Sequence, residues 1–175
     1  MIEPIVREET PADAAGVRSV NEEAFGRPEE ADIVEALRAA GAVTLSLVAV
    51  EGDDVIGHIL FSPVTVETAQ GPWPAVGLGP MAVVPRLQGR SVGGALVRAG
   101  LDAVRARGVD AVVVLGHATY YPRFGFERAS RFGIRWELPC PDEAFMVLEL
   151  SPGALHDRAG VVRYRLELTP GRRAG

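Results

Sequence analysis

One stretch of the chain, Met81–Val97 (MAVVPRLQGRSVGGALV), restricts the fold more than any other. It begins as an apolar strand, breaks at Pro85, passes through a turn rich in glycine and arginine, and becomes helical. The apolar run Ala111–Gly116 (AVVVLG) follows the helix and has the composition of a buried central strand. The sequence therefore predicts a strand–helix–strand unit, with the turn Gln88–Gly94 at the start of its helix.

The turn Gln88–Gly94 contains three glycines, although glycine in a helix interior costs roughly 1 kcal/mol relative to alanine. Free backbone N–H groups at a helix N-terminus favour a bound anion, and the helix dipole adds to this preference. An ordinary tight turn is the alternative reading. Two familiar phosphate motifs are absent, since the chain has neither Gly-Lys-Ser/Thr nor a G-x-G-x-x-G after its first strand.

The whole chain indicates one mixed α/β domain, because 175 residues with 47% hydrophobic content suffice for a single core and no repeat or linker interrupts them. We expect a loop at 68–75 and a short helix or turn at 119–124. Strands are expected at 4–10, 44–51, 55–67, 76–84, 111–116, 146–150 and 161–168, and helices at 13–25, 28–40 and 91–108.

Charge and composition exclude several classes of function. A net charge of −5 argues against broad nucleic-acid binding. No apolar window approaches the roughly 20 residues of a membrane helix, and the N-terminus lacks the apolar run of a signal peptide. The single cysteine, Cys140, rules out an internal disulfide framework and fits a cytoplasmic location. All 18 basic residues are arginine, which excludes lysine-based chemistry.

Two motifs point to a known family. Gln88–Gly93 (QGRSVG) resembles the Q/R-x-x-G-x-G/A signature of the GNAT superfamily, the acyl-CoA-dependent N-acyltransferases. Tyr121–Phe126 (YPRFGF) resembles the second signature of that family, in which a tyrosine precedes a Gly-Phe pair. The resemblance extends over 5–150 and is similar to a bacterial subgroup of small acetyltransferases. Its one departure is Ser91, where the signature has glycine.

The resemblance implies a GNAT fold of the α/β (α+β) class. In this fold a central mixed, mostly antiparallel sheet is flanked by helices, and its two middle strands splay apart. It implies a single N-acetyltransferase domain over 1–175, with a core at about 5–150. The extra strand at 161–168 would then complete the sheet or form a contact in a homodimer.

The resemblance also implies acetyl-CoA as co-substrate, with no metal. The pantetheine arm would lie between the splayed strands and pair with backbone, while the turn amides would bind the pyrophosphate. Arg90 could add charge for a phosphate and Arg86 could reach the 3′-phosphate, or both could be solvated surface residues. The cofactor-binding residues implied are Met81, Ala82, Val83, Gln88, Gly89, Arg90, Ser91, Val92, Gly93 and Gly94.

In the family, a tyrosine matching Tyr121 donates a proton to the leaving thiolate, a role that suits a phenol with a reference pKa near 10. The alternative is that Tyr121 is an aromatic side chain that closes the turn. His117 is a candidate base or water relay, or a cap of the strand end. The strand-borne glutamate of some members is absent, so Glu22 or Glu23 stays open as a base, or as part of a solvated helix face. His58 is expected to face the sheet.

The implied function is transfer of an acetyl group from acetyl-CoA to a primary amine, by direct attack in a ternary complex. The acceptor would be a small molecule or peptide, and the acidic charge favours a cationic amine. Neither nucleic acid nor membrane is an expected partner. One alternative is a catalytically weak acyl-CoA-binding sensor, suggested by Ser91 and the absent carboxylate; another is a structural interaction module. Trp73 could line the acceptor pocket or stiffen its loop.

Overall fold

The computed structural model describes residues 3–169, which form two compact units. The first unit contains residues 3–61 and 79–104, and the second contains residues 62–78 and 105–169. Two long strands, β3 (Asp54–Thr68) and β4 (Gly71–Val83), contribute to both units. No helix in this described part of the chain is long and apolar enough to cross a membrane.

In the first unit, strands β1, β2 and β3 form an antiparallel ladder in that order. The helix α1 begins only at Ala14, because Pro11–Asp13 first forms a 3₁₀ turn. The Asp13 carboxylate accepts a hydrogen bond from the Thr10 N–H at 2.7 Å, which caps that turn. The bounds are β1 (Ile5–Glu8), α1 (Ala14–Phe25), α2 (Glu29–Ala39), β2 (Leu45–Glu51) and α3 (Val92–Ala106).

The apolar faces of the helices form the core of the first unit. Leu37 of α2 and Leu96 of α3 are fully buried, as is Phe61 of β3. Gly100 permits a close approach between α3 and β3, because a Cβ there would lie 2.5 Å from the Phe61 ring. This contact explains a glycine in the middle of a helix, where glycine is otherwise unfavourable.

In the second unit, the strand order is β3, β4, β5, β8 and β6, and β9 pairs with β3 and β7. The central pair β4–β5 is parallel, with Val76–Leu78 opposite Val112–Val114, and β7–β9 is also parallel. The remaining described ladders are antiparallel, so the sheet is mixed. The bounds are β5 (Ala111–Leu115), β6 (Glu127–Arg128), β7 (Ile134–Trp136), β8 (Phe145–Glu149) and β9 (Gly160–Tyr164).

Three details differ from the sequence-based expectations. The segment 68–75 is not wholly a loop, because β4 begins at Gly71 and Trp73 is a buried core residue of the second unit. The last strand ends at Tyr164 rather than at 168, and Leu166–Leu168 forms a 3₁₀ turn. The short strands β6 and β7 were not expected. Of the two roles considered for the last strand, completing the sheet is the one observed.

Candidate active site

The turn that connects β4 to α3 lies in the first unit and has an unusual backbone. A 3₁₀ turn at Pro85–Leu87 follows the strand, and α3 begins at Val92. Between them, Gly89 has φ 76° and Ser91 has φ 65°, both in the left-handed region. Glycine adopts this region without strain, whereas serine does so at a cost of roughly 1–2 kcal/mol. Ser91 therefore adopts a conformation that glycine adopts without strain, at the position where the signature has glycine.

Several N–H groups of this turn have no acceptor. Ala95 is the first residue of α3 whose N–H bonds to a carbonyl, that of Ser91 at 2.9 Å. A Cβ at Gly89 would meet no atom within 4 Å, so space around that part of the turn is open. Such a set of donors at a helix start suits an anion. Within residues 3–169, no hydrogen bond is formed by the N–H groups of Gly89, Ser91, Val92, Gly93 and Gly94.

The side chains of the turn have different roles. The Gln88 amide donates to the Val83 carbonyl at 3.0 Å, and so it ties the turn to the end of β4. Arg90 is exposed and forms no ion pair with any residue in 3–169, which leaves its charge available to a ligand. Arg86 pairs with Glu51 at 3.3 Å, as an exposed surface ion pair. Of the two arginines considered for phosphates, Arg90 is thus the better placed.

The side chains at the end of β4 are largely buried. Ala82 and Val83 are buried in the core, and Met81 is partly buried. Ladder pairing of β4 with β5 stops at Leu78, whereas β4 itself continues to Val83. This limited pairing agrees with the expected splaying of the two middle strands.

Tyr121 lies in the second unit, at the start of a 3₁₀ turn that ends at Phe124. Tyr121 is 6% exposed. Its ring makes edge contacts with the rings of Tyr120 and Phe126, at centroid distances of 5.2 Å and 5.6 Å. Burial, reinforced by Tyr120, raises the pKa of Tyr121 well above its usual value. The phenol is therefore protonated at every physiological pH, as a proton donor must be.

His117 follows β5 in the same unit and has an exposed side chain. Its carbonyl accepts hydrogen bonds from the N–H groups of Tyr120 at 3.1 Å and Tyr121 at 3.4 Å. The backbone of His117 therefore closes the turn that carries Tyr121. The structure thus joins these two candidate residues through the His117 carbonyl, as it joins Gln88 to Val83 in the first unit.

Leu115 is a residue that sequence reasoning missed. It is the last residue of β5 and is 44% exposed, whereas the preceding residues of that strand are buried. Leu115 is followed directly by Gly116 and His117. The continuous apolar run gave no signal that its last member is exposed.

The other acid–base candidates have structural partners. Glu22 pairs with Arg18 at 2.8 Å, and Glu23 accepts a hydrogen bond from Ser19 at 3.1 Å. His58 is fully buried, as expected. Among residues 3–169, no group of three or more His, Cys, Asp or Glu side chains is placed to hold a metal ion.

Comparison with known proteins agrees with this geometry. A family model described as the acetyltransferase (GNAT) domain matches residues 6–129. The Escherichia coli protein named "uncharacterized N-acetyltransferase YhbS" is 38% identical over 161 residues, covering 91% of this chain and 95% of that protein. The E. coli "uncharacterized N-acetyltransferase YjhQ" is 42% identical over 135 residues, covering 75% of each.

Solved structures give the same result. The crystal structure of E. coli YhbS in complex with CoA has a TM-score of 0.89 at 36% identity, covering 95% of this chain and 92% of that one. A GNAT family acetyltransferase from Brucella melitensis in complex with acetyl-CoA has a TM-score of 0.79 at 39% identity, covering 95% of this chain and 99% of that one. On the family model and on these relatives together, the chain belongs to the GNAT family of acetyltransferases.

Proposed function

We propose that the chain transfers an acetyl group from acetyl-CoA to a primary amine of a small-molecule or peptide acceptor, by direct attack in a ternary complex. The observation that carries this proposal is the set of five N–H groups without acceptors, which belong to Gly89, Ser91, Val92, Gly93 and Gly94. A pyrophosphate is the anion whose several oxygens match such a set. Relatives that were solved with CoA and with acetyl-CoA support the same ligand.

In this proposal the first unit binds the co-substrate. The N–H groups of the turn donate to the pyrophosphate, and Arg90 adds a positive charge beside them. Gln88 contributes indirectly, since its side chain fixes the turn to Val83. The main chain of Met81–Val83 pairs with the amide groups of the pantetheine arm, in the manner of an added strand.

The reaction needs one proton donor and one proton acceptor. Acetyl-CoA supplies a thioester, whose carbonyl carbon forms a bond to the amine nitrogen while its C–S bond breaks. Tyr121 donates its phenolic proton to the leaving sulfur, and the raised pKa of Tyr121 keeps that proton in place beforehand. His117, with its exposed imidazole, accepts the proton that the amine loses, directly or through a water molecule.

The charge of the chain favours a cationic acceptor. The net charge of −5 favours encounter with cationic amines, through long-range steering. We also propose a cytoplasmic location, because the reducing cytoplasm suits a chain whose one cysteine, Cys140, is a free thiol.

Gly93→Asp tests the turn directly. Aspartate in the first turn of a helix favours folding through the helix dipole, but here it places a negative charge against the phosphates. We expect at least a hundredfold weaker acetyl-CoA binding by calorimetry, on the order of the several kcal/mol that juxtaposed like charges cost. Gly93→Ala is the matched control, because it adds a methyl group without charge and should bind far better than the aspartate variant. Equal affinity of wild type and Gly93→Asp would contradict the proposal.

Turnover separates an enzyme from a sensor. Acetyl-CoA at 100 times its dissociation constant should add about 2.7 kcal/mol to the free energy of unfolding. A panel of amines, monitored by release of free thiol, then shows whether bound acetyl-CoA reacts. Stabilisation without thiol release on any amine would favour the sensor, and the absence of stabilisation would favour the interaction module.

A further inference from the structure

Gly116, directly after β5, has no side chain where the Tyr121 ring lies. A Cβ at this position would be 2.4 Å from Cε2 of Tyr121, 2.9 Å from Cδ2 and 3.4 Å from Cζ. Carbon atoms in ordinary contact are about 3.5–4.0 Å apart. Gly116 is not among the residues with positive φ, so its backbone conformation does not require glycine. The requirement for glycine is one of space, created by the ring of Tyr121.

Both partners of this contact are held by their neighbours. The Gly116 N–H donates to the Ala144 carbonyl at 2.9 Å, and the preceding Leu115 is paired with Phe145 of β8. On the other side, the Tyr121 ring is held by its edge contacts with Tyr120 and Phe126. The strand end and the ring are thus fixed against each other, and their separation depends on the absence of a methyl group at 116.

We infer that Gly116 is a positioning residue, which sets where the phenolic hydroxyl of Tyr121 lies. The inference rests on the proposed role of Tyr121 as proton donor. A methyl group at 116 must push the ring away by about 1 Å to restore an ordinary contact. The hydroxyl is part of the same rigid ring and moves with it. A misplacement of about 1 Å at a reacting group lowers the rate by up to about a hundredfold.

Gly116→Ala tests the inference through its coupling to Tyr121. We expect kcat to fall at least about tenfold with the KM for acetyl-CoA nearly unchanged, because a displaced proton donor affects the chemical step. In a Tyr121→Phe background, the same change should cause no further loss of kcat, since the hydroxyl is already gone. An additional tenfold loss in that background would overturn the inference.

Gly77→Ala is the matched control in the same unit. A Cβ at Gly77 would lie 2.7 Å from Cε1 of Tyr164, so the variant also forces a methyl group against a tyrosine ring. Both variants should lower the unfolding midpoint, but only Gly116→Ala should lower kcat. Equal losses of kcat would mean that Gly116 has a merely structural role.

Tyrosine ring NMR gives a readout that does not depend on activity. The chain has three tyrosines, so ring-labelled tyrosine gives three resolvable sets of signals, assigned with single phenylalanine variants. Gly116→Ala should shift the Tyr121 signals, and unmoved signals would overturn the inference. If Tyr121→Phe lowers kcat while Gly116→Ala does not, the inference fails and the proposed function stands. If Tyr121→Phe leaves kcat intact, the proposed acid role fails whatever Gly116→Ala does.

A Gly116→Ala variant that does not fold is still informative. When Tyr121 is first changed to alanine, the ring is absent and Gly116→Ala should be tolerated. Unfolding experiments on the Tyr121→Ala variant, with and without Gly116→Ala, measure this directly. Equal destabilisation with and without the ring would show that the ring is not the obstacle, and would overturn the inference.

Discussion

The buried His58 makes the stability of the first unit depend on pH. The Asn21 amide nitrogen donates both to the Val17 carbonyl at 2.9 Å and to Nδ1 of His58 at 3.1 Å. Because both amide hydrogens are donated, Nδ1 accepts and the ring proton lies on Nε2, which faces the Ser46 hydroxyl at 2.9 Å. The nearby Glu9 carboxylate is paired with Arg38. His58 is therefore neutral in the folded protein.

Burial, and secondly the charge of Arg38, lower the pKa of His58 from 6.5 to about 3. The unfolded chain takes up a proton between these two pH values and the folded chain does not, so stability is lost as pH falls below 6.5. Because one pKa unit corresponds to 1.36 kcal/mol, the loss between pH 7 and pH 5 is about 2 kcal/mol. At pH 3, where the folded-state histidine is itself half protonated, the loss is about 4 kcal/mol.

Urea unfolding at pH 7, 6 and 5, on wild type and on His58→Gln, isolates this effect. Glutamine has a donor and an acceptor but does not titrate, and all other ionisable groups are shared by the two proteins. We expect the advantage of wild type over His58→Gln to shrink by about 2 kcal/mol from pH 7 to pH 5. Parallel pH profiles would refute the reasoning, because they would mean that His58 takes up its proton equally in both states.

Two further predictions concern the site. Tyr121→Phe should lower kcat at least tenfold. Positioned proton transfer typically contributes roughly 10²- to 10⁴-fold. We expect a loss no larger than the low end of this range, because a thiol with a pKa near 8.5 leaves without much help. Tyr120→Phe should lower kcat much less, and equal losses in steady-state assays would contradict the acid role. Ser91→Gly should relieve the strain of φ 65° but give the unfolded chain more freedom, so the unfolding free energy should change by less than about 1 kcal/mol. Calorimetry should show equal or tighter acetyl-CoA binding, and a large loss would mean that the Ser91 hydroxyl itself contacts the ligand.

Local signals explain why the strand–turn–helix segment could be predicted. The predicted helix 91–108 forms at Val92–Ala106, because its apolar residues recur at helical spacing and Gly108, at φ 82°, ends it. The turn could be recognised because its glycines and arginines lie next to each other in sequence. The five N–H groups without acceptors follow from this local geometry.

The sequence-based predictions are wrong where strand pairing between distant segments determines the structure. Pro72 and Pro74 suggested a loop. In the structure both prolines are exposed, whereas Trp73 and Ala75 are buried, and this alternation is typical of a strand. Ladder pairing of β4 with β5 begins only at Val76, and a proline is tolerated where a strand needs no donor on that side. Strand pairing of this kind cannot be read from the segment alone.

The end of the last strand has a similar cause. β9 pairs with β3 from Gly160 to Tyr164, and Tyr164 lies opposite Val64. The next residue of β3 in that register is Pro63, which has no N–H to donate, so the ladder ends there. The sequence of the last strand itself continues to alternate and contains no stop signal. The sequence also does not indicate that position 116 needs glycine, because this need arises from the packed position of the Tyr121 ring.

The proposed binding surface consists of main-chain N–H groups, which affects how mutations can map it. Alanine replacements at Gln88, Arg90 or Ser91 retain the amide of the replaced residue, so an alanine scan would leave every main-chain donor of the turn in place and remove only side-chain contributions. Such a scan would under-report the main-chain contribution of the segment and would direct attention to its side chains and to the aromatic residues of the second unit. Only substitutions that remove an N–H, such as proline, or that introduce bulk or negative charge would reveal the site. Main-chain donation that persists after side-chain loss is thus what an amide-based site predicts.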